Sequence, residues 1–160
     1  MNTKGIPPES LGIYGQSLGA LTALTTSQHT NDFSAIAVHD PPVNFETLVR
    51  EEMVYQGFPG FLFEPTSHYA NIFEGISLTL ITPETSLARS EKQPILILNG
   101  MLDERILPHH SLDLVDLANS LGIETELYRY DDVGHVGSLW AYTDEFERLI
   151  VQFFNENLAS

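Results

Sequence analysis

The 160-residue chain contains no cysteine, which excludes disulfides and thiolate metal sites and leaves the redox compartment open. Basic side chains are scarce: 7 lysines and arginines stand against 22 carboxylates, for a formal charge of −15. A surface of that sign repels phosphate backbones and anionic head groups, so neither nucleic acid nor a membrane is an expected partner. No apolar run is long enough to cross a bilayer. The segment Met1-Asn2-Thr3-Lys4-Gly5 has neither the charged nor the apolar region of a secretory signal, and a cytoplasmic location is the default. Gly15-x-x-x-Gly19 lacks the glycine spacing of a phosphate loop, which argues against a nucleotide-binding domain of Rossmann type. There is no internal repeat and no low-complexity tract, and no motif calls for a cofactor.

What the sequence has is a hydrophobic content of 42% with 10% aromatics, enough for one globular domain with its own core. It is organised around Leu11-Gly12-Ile13-Tyr14-Gly15-Gln16-Ser17-Leu18-Gly19. A short apolar run ends in Gly-x-Ser-x-Gly, and the helix-forming Ala20-Leu21-Thr22-Ala23-Leu24 follows at once. Strand, sharp turn with serine at its tip, then helix is a nucleophile elbow. The strained turn needs small neighbours, which Gly15 and Gly19 supply. The Leu18 amide, first in the helix, then points where an oxyanion would form. Chance alone puts such a pentapeptide in a chain of this length with odds of roughly 5%. The plain alternative, a glycine-rich turn with a surface serine, does not account for the flanking strand and helix.

The rest of the chain reads in order as follows. Residues 1–10 form a polar lead-in, 11–15 a strand and 18–29 a helix. Residues 33–39 are a buried strand stopped by Asp40-Pro41-Pro42. Residues 40–93 have no single period and read as a cap-like insert. They hold an acidic helix from Asn44 to Tyr55 and an aromatic loop at 57–63. Phe58, Phe61, Phe63 and Tyr69 are candidates to line an apolar pocket, although core packing accounts for most such residues. Pro94 to Gly100 is a buried strand of the parallel type. Pro108 opens a helix with Leu112, Val115, Ala118 and Leu121 at helical spacing, and Gly122 stops it. Residues 123–130 are a further strand. Thr143 is a candidate cap for a last helix striped with Phe146, Leu149, Ile150, Phe153 and Phe154. The expectation is one α/β domain over 1–160: a parallel sheet with flanking helices.

Asp103 lies just past the strand ending at Gly100, and His135 follows the last strand, so both belong to the edge where open α/β sheets gather their chemistry. The chain order is Ser17, Asp103, His135. Asp40, at the end of the preceding strand, is an alternative acid. Asp131 and Asp132, beside the histidine, are two more. As bland readings, each carboxylate could cap a strand end, and His135 could make a structural hydrogen bond. His109 and His110 adjoin, so their rings should diverge on a helix and make no joint metal site. His29, His39 and His68 have no partner pattern and are taken as structural.

Three segments, Gly12 to Gly19, Pro94 to Pro108 and Tyr130 to His135, resemble in content and order the C-terminal part of the catalytic domain of the prolyl-oligopeptidase-like (S9-type) serine peptidases and esterases. That resemblance implies an α/β-hydrolase fold in which Ser17 is nucleophile, His135 general base, Asp103 its orienter and the Leu18 amide one oxyanion donor. The implied substrate is a small ester or peptide, cleaved through an acyl-enzyme. The departure is at the front. The family's elbow follows four strands, and the loop that supplies its second oxyanion amide is not found here. The expected fold is therefore partial, lacking the N-terminal strands and leaving the 11–15 strand as an exposed edge. A second reading follows from a different class: a truncated or non-catalytic hydrolase half. Its partner at that edge would be another copy, as a homo-oligomer, or a missing N-terminal half.

Overall fold

The computed structural model of the protein describes residues 11–26, 29, 32–74, 82–90 and 92–158; the expected lead-in at 1–10 lies outside them. Four short segments form strands: β1 (Gly12–Gln16), β2 (Ala35–His39), β3 (Ile95–Gly100) and β4 (Thr125–Tyr130). They pair in chain order, and every pair is parallel. β2 and β3 are buried at every position, as central parallel strands with both faces covered must be.

Alternation along the strands sends successive side chains to opposite faces. Ile95 and Ile97 meet Ile36 and Val38 on one face, under Leu24 of α1 (Leu18–Thr26), Leu87 of α4 (Pro83–Leu87) and Leu114 and Ala118 of α5 (His109–Leu121). Leu96 and Leu98 meet Ala35 and Ala37 on the other, under Phe146, Leu149 and Phe153 of α7 (Thr143–Asn157). The β2–β3 connection carries α2 (Phe45–Tyr55), a 3-10 turn at Gly60–Leu62 and α3 (Phe63–Glu74). The Asn44 Oδ1 caps α2 by accepting the Thr47 N–H at 2.6 Å. A one-turn helix, α6 (Ser138–Ala141), precedes α7. The expected parallel α/β architecture is present, with β1 at one end of the sheet. Among the described residues no strand pairs with its outer edge, and no helix is long and apolar enough to cross a membrane.

Local differences from the sequence reading have physical reasons. α1 is described to Thr26, and the hydroxyls of Thr22, Thr25 and Thr26 turn back onto the helix carbonyls of Leu18, Leu21 and Thr22; the expected end near residue 29 falls among residues only partly described. The expected loop at 57–63 folds into the 3-10 turn and the start of α3. Thr143 caps nothing: its hydroxyl donates to the Leu139 carbonyl at 2.9 Å, and it is itself the first helical residue. Of the expected α5 stripe, Ala118 is core and Val115 and Leu121 pack against it, but Leu112 is left 43% exposed. The inward face at the start of the helix is instead His110 and Leu114, with His110 held by the Val43 N–H and Glu51. Gly122 closes α5 in the left-handed conformation, φ 69°.

The burial of Leu114 and the exposure of Leu112 set an expected contrast. Leu114→Ala should destabilise the fold by about 2–5 kcal/mol, whereas Leu112→Ala should change it by less than about 0.5 kcal/mol. Urea unfolding of the two variants measures both, and equal losses would contradict the observed phase of α5.

Candidate active site

The elbow is built as its residues dictate. Ser17 sits between β1 and α1 at φ 54°, its N–H donating to the His39 carbonyl at 2.9 Å and its own carbonyl accepting the Ala20 N–H at 2.9 Å. Gly15 is required, because a Cβ there would come within 2.3 Å of the Gly19 carbonyl oxygen. Gly19 is a different case: a Cβ on it would meet nothing within 4 Å, so the turn needs the closeness of its backbone rather than a missing side chain. Leu18 is the first residue of α1, and N–H groups in a helix's first turn have no acceptor within the helix.

The structure brings Ser17, His135 and Asp103 together. His135 Nε2 lies 2.9 Å from Ser17 Oγ, and its Nδ1 lies 2.7 Å from Asp103 Oδ2. The carboxylate accepts only, so Nδ1 carries the proton and Nε2 offers its lone pair to the serine hydroxyl. Asp103 is 2% exposed, and its second oxygen accepts the backbone N–H groups of Arg105 (2.8 Å) and Ile106 (3.0 Å). The bond to Asp103 raises the proton affinity of His135 above the ordinary histidine range, against the opposing effect of burial. Gly100 lets the two loops meet: a Cβ there would stand 2.7 Å from the Gly134 oxygen and 2.8 Å from that of Val133. Chemically, the arrangement can take a proton from a serine hydroxyl and hold the resulting imidazolium.

The rival acids go elsewhere. Asp40 is fully buried; its Oδ1 accepts Asn99 Nδ2–H (3.0 Å) and the Gly100 N–H (2.8 Å), and its Oδ2 accepts the Val136 N–H (2.7 Å). Burial pushes its carboxyl above the usual range, against those donors. Asp132 is exposed and accepts the Tyr142 hydroxyl. Asp131 is exposed as well. The pairing that sequence reasoning missed is His39 with Ser138, 2.9 Å apart and both fully buried. His39 ends β2 and packs on the Phe146 ring at 5.0 Å. Because Ser138 is inaccessible, it cannot meet a substrate. Burial, with the nearby His135, pushes the His39 pKa down to about 4, so the ring is neutral.

Beside Ser17 and His135 opens a cavity of about 350 Å³, walled by Phe45, Leu48, Val49 and Met53 of α2 together with Phe58 and Ile106. Arg105 and Glu52 supply its charges, and their side chains pair at 3.3 Å. Of the four aromatics considered from sequence, only Phe63 is core, its ring lying 3.7 Å from the Arg50 guanidinium carbon. Phe58 lines the cavity, and Phe61 and Tyr69 are exposed.

His109 and His110 do not diverge. Their rings stack at 4.3 Å, and each Nε2 lies 2.8 Å from one oxygen of Glu51. The donor set of Glu51, His109 and His110 could suit a metal, but the Val43 N–H donates to His110 Nδ1 at 3.1 Å. That fixes the proton of a neutral ring on Nε2, the atom a metal would need bare. His109 lies between Glu51 and Asp113 (3.0 Å). Burial lowers its proton affinity, but those carboxylates outweigh it and the net shift is upward. The cluster is therefore a hydrogen-bonded clasp between α2 and α5.

Comparison with known proteins points in one direction. The model of the prolyl oligopeptidase family matches residues 2–160. No individual curated protein matches significantly. Among solved structures, an esterase from Pyrococcus furiosus is similar with a TM-score of 0.66 and 19% identity, over 92% of this chain and 54% of that one. The acylaminoacyl peptidase of Pyrococcus horikoshii gives a TM-score of 0.74 and 17% identity, over 94% of this chain and 24% of that one. Acetyl xylan esterase 1 from Thermoanaerobacterium gives 0.64 and 19%, over 99% and 49%. The chain thus spans about half the length of the two esterases, and the likeness is one of fold.

The buried neutral His39 predicts an acid-sensitive stability. Its native pKa is near 4 against an ordinary 6.5, so the unfolded chain binds a proton that the folded chain refuses. Stability is therefore present above pH 6.5 and lost as pH falls toward 4, by about 3 kcal/mol for a shift of that size. His39→Gln should flatten this part of the curve in thermal melts recorded across the window; an unchanged slope would contradict the neutral assignment.

Proposed function

The chain belongs to the prolyl oligopeptidase family, and on that premise we propose that it is a serine hydrolase cleaving an ester or peptide bond through Ser17, His135 and Asp103. The observation that carries this is the unbroken relay of 2.9 Å from Ser17 Oγ to His135 Nε2 and 2.7 Å from His135 Nδ1 to Asp103. His135 Nε2 takes the hydroxyl proton as Ser17 Oγ bonds to the substrate carbonyl carbon. The carbonyl oxygen becomes an oxyanion facing the Leu18 amide. The imidazolium returns its proton to the leaving alcohol or amine as that bond breaks, leaving an acyl-enzyme. Water then enters, gives a proton to His135, and releases the acid as Ser17 recovers its hydroxyl. Asp103, held by two backbone N–H groups, keeps the ring in the productive tautomer throughout. The 350 Å³ cavity beside Ser17 suits a substrate with one sizeable apolar group, and the site asks for no metal or cofactor.

A second reading has its own support. β1 carries the elbow at the end of the sheet, and its outer edge is unpaired among the described residues. An apolar edge of that kind pairs readily with another strand. On this reading the whole of 1–160 is one incomplete hydrolase domain, with 40–93 as its insert. It acts by association at β1, with a second copy or with the remainder of a hydrolase.

Intact mass after exposure to a fluorophosphonate separates the two. A single adduct on the native chain, absent from Ser17→Ala, together with turnover of 4-nitrophenyl butyrate by the native chain alone, is the expected result. A folded chain that takes no adduct and elutes as an oligomer from a sizing column would replace the first reading with the second.

A further inference from the structure

Resting on the reading of His135 as the base, we propose that Asp40 is a positioning residue for it: a buried second carboxylate that fixes the His135 loop through the Val136 N–H and faces the imidazole with negative charge. Three N–H donors converge on the Asp40 carboxylate, from Asn99 Nδ2, Gly100 and Val136. Only a group that accepts at both oxygens satisfies all three; an asparagine would turn its own N–H₂ toward a donor. None of the three is a cation. His39 Nε2 lies 3.4 Å away, but that ring is neutral and bonded to Ser138. A fully buried carboxylate without a countercharge is costly, so its place beside the site calls for a use.

The geometry supplies one. Val136 follows His135 directly and sits at φ 48°, a strained conformation for a β-branched residue, while Asp40 itself sits at φ 46°. The 2.7 Å bond between them holds the loop where His135 Nε2 reaches Ser17. Ligand atoms of Asp40, Asp103 and His135 all lie within 4.8 Å of one another. The groups that face His135 are Asp103 after β3, neutral His39 at the end of β2 and Asp40 just after it, Arg105 beyond Asp103, and Glu52 on α2. Asp103 orients the ring, and Asp40 holds the backbone beneath it. Both favour the imidazolium formed when Ser17 gives up its proton.

The test compares the native chain with Asp40→Asn and with Leu114→Ala, a substitution in the core layer under α5. The readouts are the NMR titration of the His135 ring, kcat and KM on 4-nitrophenyl butyrate, and amide exchange at Val136. Loss of a negative charge disfavours the imidazolium, so in Asp40→Asn the His135 titration and the acidic limb of kcat/KM should both move to lower pH. The variant's kcat should fall about 10²-fold with KM unchanged. Leu114→Ala should lose thermal stability while keeping the native titration and kcat. An Asp40→Asn titration like the native one, or equal shifts in both variants, would overturn the proposal. Should Asp40→Asn fail to fold, Val136 in the native chain decides. Protection comparable to β3 amides supports the bond, and free-loop exchange refutes it. A native chain that takes no fluorophosphonate adduct would refute the role of Ser17 alone, since the titration and the exchange need no turnover.

Discussion

Everything at the site depends on one constraint: four strands hydrogen-bonded in parallel and in chain order. Parallel pairing brings every strand's C-terminal end to the same edge, and each return must cross the sheet on a helix. Ser17 after β1, Asp40 after β2, Asp103 after β3 and His135 after β4 are far apart in sequence and neighbours in space for this reason. The ladder even continues into the site, since the Ser17 N–H donates to the His39 carbonyl and the Asp40 N–H to the Leu98 carbonyl, each at 2.9 Å. A one-residue slip between β2 and β3 would exchange the faces of Ile97 and Leu98, each buried in a different layer. The core thus fixes the register, and the register fixes the site.

The backbone strain is concentrated at the same edge. Ser17, Asp40 and Val136 are three of the four non-glycine residues with positive φ among those described, and such conformations cost about 1–3 kcal/mol each. Each is held by a hydrogen bond to another strand end: Ser17 to β2, Asp40 to β3, and Val136 to Asp40. The strain turns the chain sharply enough for a serine, a carboxylate and a histidine loop to face one another. Two glycines complete the approach where no Cβ fits, Gly15 against Gly19 and Gly100 against Gly134. Chain reversal and close contact are achieved at different positions, by strain in one case and by the absence of a side chain in the other.

What was legible in the sequence was what depends on local pattern. Ile95 to Gly100 reads as a buried strand because it is apolar without a break. Gly122 reads as a helix stop because only glycine takes that conformation cheaply, and the Gly-x-Ser-x-Gly turn announces itself. The order Ser17, Asp103, His135 could be read because each follows a recognisable strand. What could not be read depends on contacts between distant segments. The pattern on α5 places Leu112 with Val115, Ala118 and Leu121; the last three do pack on the core, but at the first turn Val43 and Glu51, from another part of the chain, hold His110 inward and Leu112 is exposed. Adjacent histidines were expected to diverge, yet one carboxylate with two oxygens gathers both rings. The pairing of His39 with Ser138 joins residues 99 positions apart and leaves no local trace.

The cavity wall and Asp103 are joined through one turn. The Arg105 backbone N–H donates to Asp103, while its guanidinium reaches Glu52 on α2. The next residue of the same turn, Ile106, also donates to Asp103 and lines the cavity. Glu51, adjacent to Glu52, clasps His109 and His110 at the start of α5. Two neighbouring carboxylates on one helix therefore tie the wall to the loop that holds Asp103 and to the helix that follows it. Exposed ion pairs such as Arg105 with Glu52 contribute little to stability on their own. Their effect here is geometric: they link α2 to the turn whose backbone N–H groups hold Asp103, which in turn bonds His135. The cavity wall, Asp103 and His135 thus belong to one connected set of contacts.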